Sequence, residues 1–367
     1  MLNRMPVVLL IAASVTLSFA EEQWKPKLTP QQSGTTQLLI AVSPVNSQVV
    51  WAAGTGGTYV VTTDGGQSWK SAVVPGAEKL QFRDVQGVSD KIAYLMSIPN
   101  NTGTTDFRIY KTEDGGATWK IEFTNHIKKA FYDCFAFWGP DRGLAQSDSV
   151  NGVFPTILTM NGTTWKSISS HMPNALKGEA QFAASGTCVA TQGEENAWIT
   201  TGGASVSRIL ATTDGSNTWN AYDTPLRSSA SAGGVSVAFR NPNDGIVGGG
   251  DLSSNKYAQM ATSHDGGKTW TLTNKPPVRG TVFCLSYAQK VSYGGRNKDD
   301  KFRRVVVITA ETEPNFNSGS AAWTPDEGNT WFKLPKVSGY WAVGFADPSA
   351  GWFVGNNGQI LKISFGQ

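Results

Sequence analysis

Apolar and polar residues alternate along this chain in short runs, separated by clusters of Gly, Asp, Asn and Ser. Tyr59-Val60-Val61 enters one such cluster, and Trp69-Lys70-Ser71-Ala72-Val73 leaves it. A period of two in β-branched and aromatic residues, interrupted by turn-formers, predicts strands joined in hairpins. Helical periodicity is nearly absent; the stretch at His126-Ile-Lys-Lys129 reads as a turn at most.

The clusters repeat a phrase. Four full copies read Thr62-Thr-Asp64-Gly-Gly66-Gln-Ser68-Trp69, Thr112 to Trp119 around Asp114, Ser263 to Trp270 around Asp265, and Thr324 to Trp331 around Asp326. Looser copies end at Trp219, with Asp214 kept, and at Trp165, with Asn161 for Asp. The tryptophans are spaced by 50, 46, 54, 51 and 61 residues. A period in that range signals a repeat architecture. Asp suits a turn because its carboxylate accepts backbone N–H groups just ahead, Gly supplies a positive φ, and the indole offers a large apolar wedge. The phrase is therefore first a folding device.

Two further short strands precede each copy, which makes four strands per repeat. Inner strands are expected to open at Gln37–Ala41, Leu80–Val85, Phe131–Phe135, Ala180–Ala184, Val235–Phe239 and Thr281–Leu285. After the sixth copy come Gly339–Phe345, Gly351–Val354 and Gln359–Ile363, three strands without a phrase of their own. The missing strand is expected at the other end of the chain, in Glu22-Gln-Trp24-Lys-Pro-Lys27, because Trp24 lies 45 residues before Trp69. The expectation is a single all-β domain over 21–367: a seven-bladed β-propeller of four-stranded antiparallel blades, closed by the N-terminal strand. Closure leaves no open sheet edge. Loss of Glu21 to Lys27 should then lower the melting temperature.

Composition adds the compartment. Arg4, the apolar run Pro6 to Phe19 and the small residues of Ser18-Phe19-Ala20 read as a signal peptide over 1–20, cleaved near Ala20. No later run is long enough for a transmembrane helix, so the protein is expected to be secreted or periplasmic, and a monomer. A net charge of +3 points to neither nucleic acid nor membrane. Of the three cysteines, Cys134 and Cys284 fall in apolar inner strands and read as buried thiols, at least one of the three staying unpaired. Whether any two pair is left open. No His or Cys spacing suits a metal, and no cofactor motif is present.

In such a ring the inner strands converge on a central funnel. The starts of these strands and the second-to-third strand loops are expected to share its open face, with the turn phrases on the other side. The candidate binding residues are Arg83, Asp84, Asp133, Asp148, Glu179, Asp251, Arg296 and Tyr340, with Ser236 beside them. Clustered carboxylates can bind a cation, hold sugar hydroxyls or do acid–base work. Equally, they can cap loops around a wet channel.

The phrase resembles the Asp-box, or BNR repeat, of sialidases and their non-enzymatic relatives. The resemblance assigns structural roles to Asp64, Trp69, Asp114, Trp119, Trp165, Asp214, Trp219, Asp265, Trp270, Asp326 and Trp331. The sialidase motif F/Y-R-I-P meets only Phe107-Arg108-Ile109-Tyr110, with Tyr for Pro, directly ahead of the second phrase rather than the first; no third arginine joins Arg83 and Arg296. Sialidase propellers also have six blades. The layout, with Trp352-Phe-Val-Gly355-Asn-Asn-Gly358-Gln-Ile-Leu361 as its ending, resembles the YCF48-like, photosystem II assembly factor-type propellers. That resemblance implies an exported, non-catalytic propeller binding a protein or glycan through its funnel face. The alternative is a glycoside hydrolase or lyase using a pair drawn from Asp133, Asp148, Glu179 and Asp251.

Overall fold

Short alternating strands have one way to bury both faces, which is to stack sheet on sheet, and here the stack closes on itself. The computed structural model describes residues 25–99, 107–182, 184–254, 258–289, 303–310 and 319–366. These form seven four-stranded antiparallel sheets. The inner strands are Leu39–Pro44, Leu80–Gly87, Tyr132–Phe137, Val189–Gln192, Ala232–Phe239, Thr281–Tyr287 and Tyr340–Asp347, for blades one to seven. In blades one to six the chain runs outward through its four strands.

Blade seven draws its outer strand from the N-terminus. Lys27–Gln32 pairs antiparallel with Gln359–Ser364, from Lys27 opposite Ser364 to Gln32 opposite Gln359. The strand therefore lies further along the chain than Glu22 to Lys27, and Trp24 falls outside the described residues. Gln31 does the joining: its Oε1 accepts Trp69 Nε1 from blade one at 3.1 Å and Trp352 Nε1 from blade seven at 3.2 Å. Pro30 is tolerated because the strand is outermost, where a missing N–H costs no ladder bond.

Each turn phrase folds the same way, between the third and outer strands. Thr62 Oγ1 donates to Asp64 Oδ1 (2.8 Å) and accepts from Gly66 N (2.9 Å), while Ser68 N and Oγ both donate to the Asp64 carboxylate. The same bonds recur about Asp114, Asp214 and Asp265, and Asp326 keeps those from Thr324 Oγ1 and Thr330 N. Asn161 imitates them, taking Thr163 N and Thr164 N on its Oδ1.

The core is divided among the spaces between blades. Trp51, Trp198 and Trp352, all on second strands, are fully buried, and Trp198 stacks on Phe239 of the next blade with centroids 3.5 Å apart. Truncating such a residue to Ala costs about 3–5 kcal/mol. Cys134 and Cys188 form a disulfide joining blades three and four, which corrects the reading of Cys134 as a thiol; Cys284 is free and buried. Helical structure among the described residues amounts to two short 3-10 turns, Ser169–His171 and Asn356–Gly358. None is long and apolar enough to cross a membrane.

Candidate binding sites of the central channel

Strand direction gives the channel two different ends. The starts of the inner strands and the second-to-third strand loops share one end, the loop face. The ends of the inner strands and the turn phrases share the other, the box face. Six inner strands carry a β-bulge at the same level, at Ile40, Arg83, Asp133, Val235, Phe283 and Trp341. A bulge re-aims the residue it inserts.

Side chains just past the bulge tie the blades together around the axis. Asp84 Oδ2 accepts Phe135 N (2.9 Å), Cys134 Sγ accepts Cys188 N (3.1 Å), Ser236 Oγ accepts Leu285 N (3.0 Å) and Cys284 Sγ accepts Val343 N (3.3 Å). Ser236, singled out for the rim, is thus an inter-blade link.

Blade four departs from the others. Ala180–Ala184 was expected to open its inner strand, but that strand begins at Val189, and Ala180 makes only an isolated bridge to Gly202. The intervening residues cross the axis instead. Ala184 packs with Val235 and Phe283 of blades five and six, Ser185 Oγ donates to Phe283 O at 2.7 Å, and Gly186 abuts Asp84 of blade two. This axial segment separates the loop-face end of the channel from the box-face end.

On the loop face the bulges bring Arg83, Asp133 and Asp148 together. The Asp133 and Asp148 carboxyls lie within hydrogen-bonding reach of each other. Burial pushes Asp133 well above the usual carboxylate range; the Asp148 charge adds to this and Arg83 opposes it. Asp148 is raised by burial too, countered by the Gln181 N–H at 2.7 Å. The pair therefore holds a proton on Asp133, since two like charges in contact cannot both ionise freely. Burial lowers the Arg83 guanidinium, and the two aspartates hold it up; it lies 5.8 Å from the Phe131 ring centroid.

The remaining predicted residues do other work. Glu179 is buried and receives Arg208 Nε (2.9 Å), Arg208 Nη2, Thr201 Oγ1 (2.7 Å) and Leu176 N (2.7 Å). Asp251 caps a loop through Ser231 Oγ, Ser253 N and Ser253 Oγ. Tyr340 is half-buried against Phe353, and burial raises its phenol. Asp84 is fully buried below Arg83, and burial pushes it well above the usual range. Arg296 lies outside the described residues, and the strands flanking it, Thr281–Tyr287 and Val305–Ala310, are the first and second of blade six, not the second and third.

Two glutamines escaped the sequence reading. Gln181 Nε2 donates to Gln146 Oε1 at 2.7 Å, yet Gln181 Oε1, Gln146 Nε2 and Arg83 Nε have no partner among the described residues. Phe182, Leu252 and Trp341, partly buried, pack against the axial segment's cluster. No local motif marks these residues; the bulge register that brings them together appears only once blades are aligned.

At the box-face end lies a cavity of about 300 Å³ lined by Ser43, Gln86, Thr187, Thr191, Gln192 and Ser286 among others. An adjoining recess of about 250 Å³ shares several of these walls and reaches Asp84, Ser185 and Gly186.

The solved structures with this architecture include YCF48 bound to a D1 peptide, with a TM-score of 0.60 over 92% of this chain and 96% of that one. The chain shares the seven-bladed propeller fold of that structure. YCF48 from Cyanidioschyzon merolae gives a TM-score of 0.62, again over 92% of this chain and 98% of that one. Both are 16% identical to this chain. U3-55K gives 0.60 at 9% identity, over 92% of this chain and 98% of that one. Identities this low establish likeness of fold, which YCF48 shares with proteins of other roles. No protein-family model and no curated protein matches the sequence.

Proposed function

We propose that this protein is an exported, non-catalytic propeller of the Asp-box (BNR) type that binds a protein partner on its loop face. The observation that carries this reading is the set of partnerless polar groups there, Arg83 Nε, Gln146 Nε2 and Gln181 Oε1, beside the partly buried Phe182 and Trp341. Unmet donors and acceptors next to aromatic surface suit the amides and side chains of a polypeptide. The YCF48 structure that holds a D1 peptide supports the idea that this fold accepts a protein segment. Export rests on the apolar leader, and the disulfide favours an oxidising compartment.

Hydrolysis has weaker support. Glu179 is tied to Arg208, Asp251 is held by two serines, and Asp133 is buried.

The test is a displayed peptide library screened against the mature chain, with hits measured on Arg83→Ala and Trp341→Ala. Each variant is expected to weaken binding about tenfold or more, as loss of an interface anchor does. Hits indifferent to both variants would move the site elsewhere. Turnover of a glycan panel that Asp133→Asn abolishes with the fold intact would replace binding by catalysis.

A further inference from the structure

The box-face cavity and the acid at its inner end form a second site, independent of the loop face. Asp84 occupies the position just past the bulge, where the other bulged strands carry Ala41, Cys134, Ser236, Cys284 and Ala342, all neutral. Ser236 and Cys284 make the inter-blade bond there without any charge. A carboxyl is therefore not needed to hold blade two to blade three. It costs desolvation that a hydroxyl avoids.

Several hydroxyls of the cavity and its recess face it as acceptors. Thr191 Oγ1 spends its proton on Phe137 O (2.8 Å), Ser185 Oγ on Phe283 O (2.7 Å), and Ser286 Oγ on Tyr287 O (3.3 Å). What these hydroxyls keep is lone pairs. Gln192 Oε1 is buried in the wall with no partner among the described residues. Asp84 accepts one N–H on each oxygen, from Val85 and Phe135, and retains a further lone pair on each. Among the described residues no Lys or Arg lines the cavity or its recess. Gly186 stands at a φ of +65° against the carboxyl, where a Cβ would come within 2.2 Å of Asp84 Oδ1, so any side chain there would press into the acid.

We propose that this cavity binds an organic cation, a primary ammonium or guanidinium on a short chain, with Asp84 as counter-charge and Gln192 Oε1 as a second acceptor. One acid, no base among the described lining residues and unspent acceptors select a donor that carries positive charge. Asp84 lines the recess of about 250 Å³ and Gln192 the adjoining cavity of about 300 Å³, which together admit one such group and its methylene stem, not a folded partner. The cation has two possible sources, a free amine or the lysine or arginine side chain of a bound polypeptide.

Burial raises Asp84 well above its ordinary range, so the empty site holds a neutral carboxyl at low pH. Cys284, across the channel on blade six, is the titratable group that feels the Asp84 charge; burial raises it too, so its thiol stays neutral. A bound cation favours ionised Asp84, so binding releases a proton. Affinity should rise with pH, approaching about tenfold per unit below the Asp84 pKa.

The experiment is titration calorimetry of the mature chain with putrescine, with butylamine and with a capped peptide carrying a central lysine. Saturable one-to-one binding by any of the three, strengthening with pH, is the expected result, and which probe binds identifies the source. Asp84→Ser copies Ser236, so it should fold and retain the inter-blade bond while losing at least about tenfold in affinity. Gln192→Met should weaken binding without altering its pH dependence. The proposal is overturned if none of the probes binds at millimolar concentration, if Asp84→Ser binds like the parent, or if sodium or calcium ions compete as well as the amines. Loop-face peptide binding should survive Asp84→Ser, so failure here leaves the loop-face reading standing.

Discussion

Carboxylates in this molecule titrate in opposite directions according to where the repeat places them. Asp64 and Asp114, in exposed turns, are pulled down to about 2, above all by the hydroxyls of Ser68 and Thr118 and by the N–H groups of the same residues. A depressed carboxyl stabilises the fold above its unfolded pKa of about 4 and loses that contribution as pH falls toward 2. Asp133 and Asp84, in the channel, are raised. Their contribution has the other sign: the native state prefers the proton, so stability falls as pH rises from about 4 through their folded pKa. Asp133→Asn should therefore raise the melting temperature at alkaline pH and change it little near pH 4. A thermal scan across pH checks this, and equal shifts at both ends would place Asp133 in a fully ionised pair with Arg83. The turn phrase was legible residue by residue because all its partners lie within a few positions. Arg83, Asp133 and Asp148 could be placed on one face from the repeat, but Gln181 beside them could not, because it belongs to the part of blade four that leaves the strand pattern.

Blades were legible as elements for a related reason, since a four-stranded unit repeats its alternation and its punctuation together. The closing strand was anticipated as an element but misplaced by a few residues. Trp24-Lys25 imitates Trp69-Lys70, whereas the strand that pairs is held by Gln31 and its two indole N–H groups. Deleting residues 25–32 should lower the melting temperature by several degrees, which a thermal melt measures. Gln31→Leu should cost about 2 kcal/mol, from two hydrogen bonds of about 1 kcal/mol each; a denaturant melt at constant m-value measures it. Blade four was misread because Ala180-Gln-Phe-Ala-Ala184 has the alternation of a strand, and nothing local says that it crosses the axis. Chain punctuation elsewhere bends to tertiary need in a similar way. Glu327 adopts a φ of +56° where other copies have Gly, a conformation costing roughly 1–2 kcal/mol. Arg240 Nε and Tyr287 OH, both bonded to its carboxylate, offset this.

At the scale of the whole ring, the repeat made the number of blades and the end that closes them legible, but not the axial segment that divides the channel. The axial segment makes two unlike ends from one hole, and the proposed sites sit one at each end. The disulfide between Cys134 and Cys188 spans 54 residues and links adjacent inner strands. In the loop-entropy account, closing a loop of that length stabilises by about 4 kcal/mol. Reduction, or the pair Cys134→Ser and Cys188→Ser, should lower the melting temperature by several degrees and leave Cys284 unreactive toward thiol reagents in the native state. An unchanged melt would mean the two sulfurs are not joined in the isolated protein.

The seam at Gln31 also sets a timetable. Trp352 follows Gln31 by 321 residues, and synthesis proceeds at about 5–20 residues per second. The first strand made thus waits on the order of tens of seconds for the last sheet to exist. Until then blade seven has no outer edge strand and the ring cannot shut. Six blades stacked as an open arc form the natural intermediate, with unpaired edges that a second arc can capture. Slow, concentration-sensitive refolding, with the N-terminal segment protected last, is the expected signature of a circle that is finished with its first piece.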